Sequence, residues 1–232
     1  MLAGPVLAAA RRLVGARLVH DAPGRARRVG RLVEVEAYDG PDDRASHARF
    51  GRTTRTEAML GPPGTAYVYL VYGMHDCLNI VTGPLDEPSA VLVRAIEPME
   101  GVEEMRASRL VRALERRRAG ATRRGASGRF APPADIPTAR VASGPGLVTA
   151  ALGIDRSFSG MDLLAPGSSL RLEMAPPEGS QVIGATARVG VAYAGEPWAS
   201  LPWRLALDGH PSVSRPAARS ATRAATSFRG TD

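Results

Sequence analysis

The chain has 232 residues, 44% apolar and 23% charged, which is enough to bury one hydrophobic core in a single domain. Its formal charge is +7, and all 30 basic residues are arginine, so chemistry that needs a lysine is excluded: side-chain Schiff bases, pyridoxal-phosphate attachment and the lysine of a phosphate-binding loop. The one cysteine, Cys77, excludes an internal disulfide and a cysteine-only metal site, and no apolar run is long enough to span a membrane.

A basic excess suits a polyanionic partner, because each neutralised phosphate releases counterions. With a single thiol, a reducing cytoplasm is the expected compartment. The opening MLAGPVLAAARRLVGARLV is apolar, but Arg11 and Arg12 interrupt it. It is read as the first helix of the fold, over 5–19, and not as a secretory signal.

A Pro-Gly turn follows at 23–24, and then VGRLVEVEAY over 29–38 alternates. Val33, Val35 and Ala37 are expected on one side of this strand, with Glu34, Glu36 and Tyr38 on the other. GPDD at 40–43 stops the strand, and 44–64 reads as loop with short helical pieces. AYVYLVYGM (66–74) and CLNIVT (77–82) read as a hairpin with 72–76 at its tip, and AVLVRAI (90–96) as another strand. A helix is expected at about 97–109, then a flexible basic loop over 116–138. SGPGLVTAALGI is expected to form a helix with Ser143 as N-cap, ending at Gly153. LRLEM (170–174) and VIGATARVGVAY (182–193) read as strands, and 211–232 as a basic, disordered tail. Strands outnumber helices without a βαβ rhythm, so the expected class is α+β around a largely antiparallel sheet, over 1–210.

Several residues on this frame could carry chemistry. Glu36 beside Tyr38 is a candidate general base if that face lines a cleft; otherwise it belongs to a solvated strand face, and Glu34 is the weaker choice. Three of the five tyrosines, Tyr67, Tyr69 and Tyr72, fall within six residues. Flat rings together with basic charge suit stacking on nucleobases, and a tyrosine at a hairpin tip suits a wedge. Arg94 interrupts an apolar strand, so it must pair with a carboxylate, Glu36 being one possibility, or reach a phosphate. His47 is alone in a loop, and without an H-x-E or C-x-x-C pattern a zinc deaminase site is excluded. Asn79, the sole asparagine, is either a sorting contact or a buried hydrogen bond. No metal and no cofactor is expected.

In order, VEVEAYDGPDDRASHARFGRT, PPGTAYVYLVYGMHDCLNIVT, AVLVRAIEPMEG and SGPGLVTAALGI closely resemble the alkyladenine (3-methyladenine) DNA glycosylase family, in its mammalian-type branch. The resemblance runs from about residue 5 to about 205 and is least in the arginine-rich loop. It implies a single mixed domain with flanking helices and a β-hairpin that enters the DNA minor groove. It implies that Glu36 deprotonates the attacking water, and that Arg94 orients that water and a neighbouring phosphate. Tyr38 would stack on one face of the flipped base, with His47 and Tyr69 on the other, and Asn79 would crowd the 2-amino group of a normal guanine. Tyr72 would intercalate with Met74 beside it; Tyr67, Gly73, His75, Ser143 and Gly144 would lie within reach of DNA. One departure is Leu147, where the family often places a lysine.

The implied reaction is hydrolysis of a damaged purine from duplex DNA, leaving an abasic site. The absence of lysine closes the usual Schiff-base route to strand cleavage, so no nicking is expected. A monomer is the default, close to the nucleoid. The competing reading is a non-catalytic lesion or RNA binder of the same fold.

Overall fold

The computed structural model describes residues 2–124, 136–174 and 181–214. Eight strands form among the described residues, the longer ones rich in β-branched and aromatic side chains: β1 (Arg17–His20), β2 (Arg28–Asp39), β3 (Ala66–Val71), β4 (His75–Val81), β5 (Ser89–Glu100), β6 (Leu170–Glu173), β7 (Ile183–Thr186) and β8 (Arg204–Leu207). They join in one curled antiparallel sheet in the order β3-β4-β5-β2-β1-β6, with β8 also against β2 and β7 against β8. Three helices flank it, α1 (Val6–Leu13), α2 (Val102–Arg124) and α3 (Pro145–Leu152). The class is the α+β one that the sequence implies. Among the described residues no helix is long and apolar enough to cross a membrane.

Period-2 alternation gives the sheet two different faces. Val35, Ala37, Val91, Val93, Leu78, Ile80, Ala66 and Val68 point into the main core, where Val6, Ala10 and Leu13 of α1 and Val148, Ala151 and Leu152 of α3 cover them. Truncating one of these leucines to alanine costs about 2–5 kcal/mol. The opposite face carries buried polar and aromatic side chains. There Glu36, Leu92, Asn79 and Tyr67 are successive cross-strand partners, one row through β2, β5, β4 and β3.

A bulged irregularity interrupts the simple alternation expected for β2. Leu32 pairs with Ile96, Glu34 with Ala95 and Val35 with Val93, so Val33 of β2 and Arg94 of β5 are both skipped in the register. Leu32 and Val35 both enter the main core, while Val33 packs with Ala95, Leu207 and Val213. The bulge falls where β2 changes its second partner: Arg31 faces β1 and Glu34 faces β8.

Other boundaries also move. The first helix stops at Leu13, and after Gly15 (φ 92°) the chain re-enters as β1, so 17–20 is strand. β5 runs to Glu100, which delays the next helix to Val102. That helix then continues to Arg124, through the first part of the expected loop, because this stretch is rich in strong helix formers although it lacks an apolar period. The loop's far end is docked as well, with Arg106 Nε donating to the Ile136 carbonyl at 2.9 Å. Residues 125–135 lie outside the described residues. Only Ile183–Thr186 of the 182–193 segment is strand. Gly144 (φ 139°), not Ser143, precedes α3 as its cap, and Ser143 Oγ instead accepts from Arg140 Nη1 at 3.2 Å. Gly153 ends α3 in the left-handed region, as its position implied. In the expected tail, Ser212 and Val213 are buried, while 215–232 lie outside the described residues.

Candidate active site

Glu36 is fully buried, and a carboxylate in such a place needs donors. It has three. The Val189 N–H donates to Oε1 at 2.7 Å, and the Tyr38 hydroxyl and Arg94 Nη1 donate to Oε2 at 2.9 and 3.3 Å. Burial, followed by the neighbouring Glu36 charge, raises the Tyr38 hydroxyl well above its ordinary range, so it remains a donor.

Arg94 faces two carboxylates. Its Nε donates to Glu34 Oε1 at 2.9 Å while Nη1 reaches Glu36. Glu34, also fully buried, accepts from Arg204 Nε at 2.7 Å and from the Ser214 N–H and Oγ at 2.6 and 2.9 Å. Burial alone would raise the Glu34 pKa; the Ser214 N–H and the two guanidiniums outweigh it and hold the group below the usual carboxylate range. The acidic side of β2 is therefore an enclosed network of two carboxylates and two guanidiniums, not a solvated strand face.

A second buried pair fixes the segment that brings Val189 to Glu36. Arg188 Nη2 donates to Asp43 Oδ1 at 2.9 Å and Nη1 to Asp43 Oδ2, with both side chains inaccessible. The same Nη1 donates to the Ala37 carbonyl at 3.0 Å. The guanidinium lies 4.7 Å from the Tyr38 ring centre and 5.0 Å from Trp203, so it also backs the tyrosine.

The other rings gather on the same face. Ser46 Oγ caps a short 3-10 turn, accepting from the Ala48 N–H at 3.1 Å, and His47 opens that turn. The His47 and Tyr69 ring centres are 4.4 Å apart at 75°, and those of Tyr67 and Tyr69 are 5.3 Å apart. His47 Nδ1 and the Tyr67 hydroxyl share a hydrogen bond of 3.0 Å. Burial, then the Arg55 and Arg49 charges, lowers the His47 pKa to about 4, so its imidazole is neutral near pH 7. Burial raises Tyr67 to about 12 and Tyr69 further. Asn79 is buried opposite Tyr67, and its Nδ2 donates to the Tyr67 carbonyl at 3.1 Å.

The hairpin turn projects from this face. Tyr72 and Gly73 occupy its two central positions with φ of 52° and 68°, the pattern of a type I′ turn. Tyr72 is 88% exposed, and Met74 is exposed beside it. A bulky ring at positive φ is a strained choice, kept only where the surrounding structure over-determines it. At the base of the hairpin, His75 packs on the start of α3: a Cβ added at Gly146 would come within 2.8 Å of its Nδ1. Ser143 and Gly144 adjoin this end of α3, and Leu147 is half-buried in its first turn.

The structure thus brings Glu36, Arg94, Tyr38, His47, Tyr67, Tyr69 and Asn79 onto one sheet face, with Tyr72, Gly73 and Met74 at a separate tip. Sequence reasoning missed Asp43, Arg188, Val189, Arg204 and Ser214, and it undervalued Glu34. Among the described residues, no three histidine, cysteine, aspartate or glutamate side chains gather as a metal site.

The family model for methylpurine-DNA glycosylase matches residues 1–211. A protein of Anaeromyxobacter dehalogenans strain 2CP-1, provisionally named a 3-methyladenine DNA glycosylase, is 46% identical over 208 residues, covering 89% of this chain and 80% of its own length. A protein of the same provisional name from Bacillus cereus strain G9842 is 40% identical over 220 residues, covering 91% of this chain and 95% of its own.

Proposed function

This chain belongs to the methylpurine-DNA glycosylase family, and on that premise we propose that it flips damaged purines out of duplex DNA and hydrolyses their N-glycosidic bond, leaving an abasic site on an unbroken strand. One observation carries the reading: a fully buried carboxylate, Glu36, held by Tyr38, Arg94 and the Val189 N–H on the face that also presents Tyr69 and His47.

A purine stacked in a duplex hides its glycosidic bond, so the nucleotide must leave the helix, at a cost of a few kcal/mol that is smaller for a damaged base. Tyr72 fills the gap as a wedge, with Met74 beside it. The extruded base stacks against Tyr38 on one side and His47 and Tyr69 on the other, and Asn79 disfavours a 2-amino group. Alkylation makes the purine a cation, which electron-rich rings attract. His47 does not oppose this, being neutral over the physiological range. Water then attacks C1′ of the sugar while Glu36 takes its proton and Arg94 orients both. The electron pair of the broken C–N bond goes to the purine, which leaves as a neutral base if it was cationic. A neutral lesion such as hypoxanthine must be protonated to leave. The enzyme acts as a monomer on nucleoid DNA and uses no cofactor.

The test is Glu36→Gln, assayed by single-turnover base release and by binding to the same lesion duplex. Release should fall at least about 100-fold, the scale of lost general-base assistance, while lesion binding persists. Activity close to wild type would remove Glu36 from this role.

A further inference from the structure

Two turns beside the site each carry an aromatic ring outward. Phe50 ends the turn that begins at His47, and Tyr193 sits in the turn Ala192–Ala194, four residues after Val189. Gly51 and Gly195, with φ of 70° and 68°, reverse the chain after each ring. Phe50 is 62% exposed and Tyr193 63%. Arg49 faces both rings: its Cζ is 4.4 Å from the Phe50 ring centre and 5.5 Å from that of Tyr193. Arg49 Nη1 donates to the Arg44 carbonyl at 2.9 Å and the Tyr193 hydroxyl to the Ala45 carbonyl at 3.1 Å, which ties these two side chains to one short segment. Among the described residues no carboxylate lies within ion-pair distance of Arg49.

Packing does not account for this arrangement. Cation–π contacts in water are weak, and most of each ring stays solvated. The Arg49 guanidinium lies over both rings and spends one Nη1 N–H on the Arg44 carbonyl, and its remaining N–H groups suit the oxygens of a phosphate. The ring rims beside it offer apolar contact of the kind a deoxyribose takes.

We propose that Phe50, Arg49 and Tyr193 form a backbone clamp for the DNA strand entering the site, with the Arg49 edge on one phosphodiester and the two rings against the adjoining sugars. The inference rests on the DNA glycosylase reading and adds to it a contact on the rim of the site.

The test measures the dissociation constant of the full chain for a fluorescent duplex bearing one hypoxanthine, across a salt series. Arg49→Ala should weaken binding about fivefold or more and make the log–log salt slope shallower by about one, the value of one lost phosphate contact. Arg49→Lys keeps the charge but not the planar stack, so it should restore the slope without the full affinity. Phe50→Ala and Tyr193→Ala should each weaken binding about three- to tenfold, with melting curves showing that the fold is intact. Arg11→Ala, at an exposed arginine of α1, is the control for net charge and should leave the slope unchanged. An unchanged slope in Arg49→Ala would overturn the clamp even if affinity fell, because the contact would then be to a base. An equal effect from Arg11→Ala would overturn it too. If the wild type neither binds the lesion duplex nor releases base, the glycosylase reading itself fails. If it does both and Arg49→Ala is indistinguishable from it, only the clamp falls.

Discussion

The backbone N–H of Val189 lies 2.7 Å from Oε1 of Glu36, across 153 residues of sequence. Nothing local to either residue holds that distance. The buried Arg188–Asp43 pair does, by fixing the segment immediately before Val189. Removing one partner of a buried ion pair strands the other without compensation, at about 3–5 kcal/mol. Asp43→Ala should therefore lower the urea midpoint and base release together, although Asp43 touches neither Glu36 nor the hairpin tip. An unfolding free energy within about 1 kcal/mol of wild type would contradict this anchoring.

Tyr72 combines positive φ with a large ring. Asparagine tolerates the left-handed region far better than a tyrosine does. Tyr72→Asn should leave thermal stability equal or raise it by up to about 1 kcal/mol, while affinity for a lesion duplex falls. A variant that captures the lesion as tightly as wild type would refute the wedge.

Glu34 and His47 couple stability to pH in different windows. The folded value of Glu34 lies below its ordinary 4.5, so its contribution is complete above pH 4.5 and is lost as pH falls through the lower folded value. His47 is lowered from 6.5 to about 4, so its contribution is complete above pH 6.5 and is lost on acidification toward pH 4. Melting curves should show wild type losing stability between pH 6.5 and 4 relative to His47→Gln, and Glu34→Gln should flatten only the more acidic limb. The reverse order of windows would refute the assignment.

Ser214 gives Glu34 two hydrogen bonds, and Arg94 shares that carboxylate. A chain ending at residue 211 should lose base release more than it loses lesion binding, and Ser214→Ala, which keeps the N–H, should be intermediate. Identical losses of binding and release in both would mean that the segment is only structural.

Because all 30 basic residues are arginine, no side-chain amine can form an imine with an abasic sugar. Incubation with lesion duplex should leave the strand whole until alkali is added. Direct cleavage, with a product trapped by borohydride, would show another amine at work.

Much of this site was legible in local sequence. The alternation of 29–38 placed Glu36 and Tyr38 on one face, and the Tyr-Gly pair marked the hairpin tip, because both signals are carried by neighbouring residues. The resemblance ordered the remaining groups. What stayed hidden depends on pairing between distant segments. The bulge at Val33 follows from the register of β2 against β5 and its change of partner, which no alternation in a single strand shows. Arg188 and Arg204 looked like ordinary members of an arginine-rich chain, and only their burial against Asp43 and Glu34 separates them from the solvated ones. The helix through 116–124 was overlooked because residue preference, not an apolar stripe, carried its signal.

Ser214 reaches Glu34 across 180 positions of the chain. During translation the acidic strand leaves the ribosome long before the serine that completes its hydrogen bonding. A nascent chain lacking that last segment carries Glu34 and Arg94 without their final ligand, so a partly synthesised molecule cannot yet assemble the full network. The order of synthesis thereby leaves this network incomplete until residue 214 has been added.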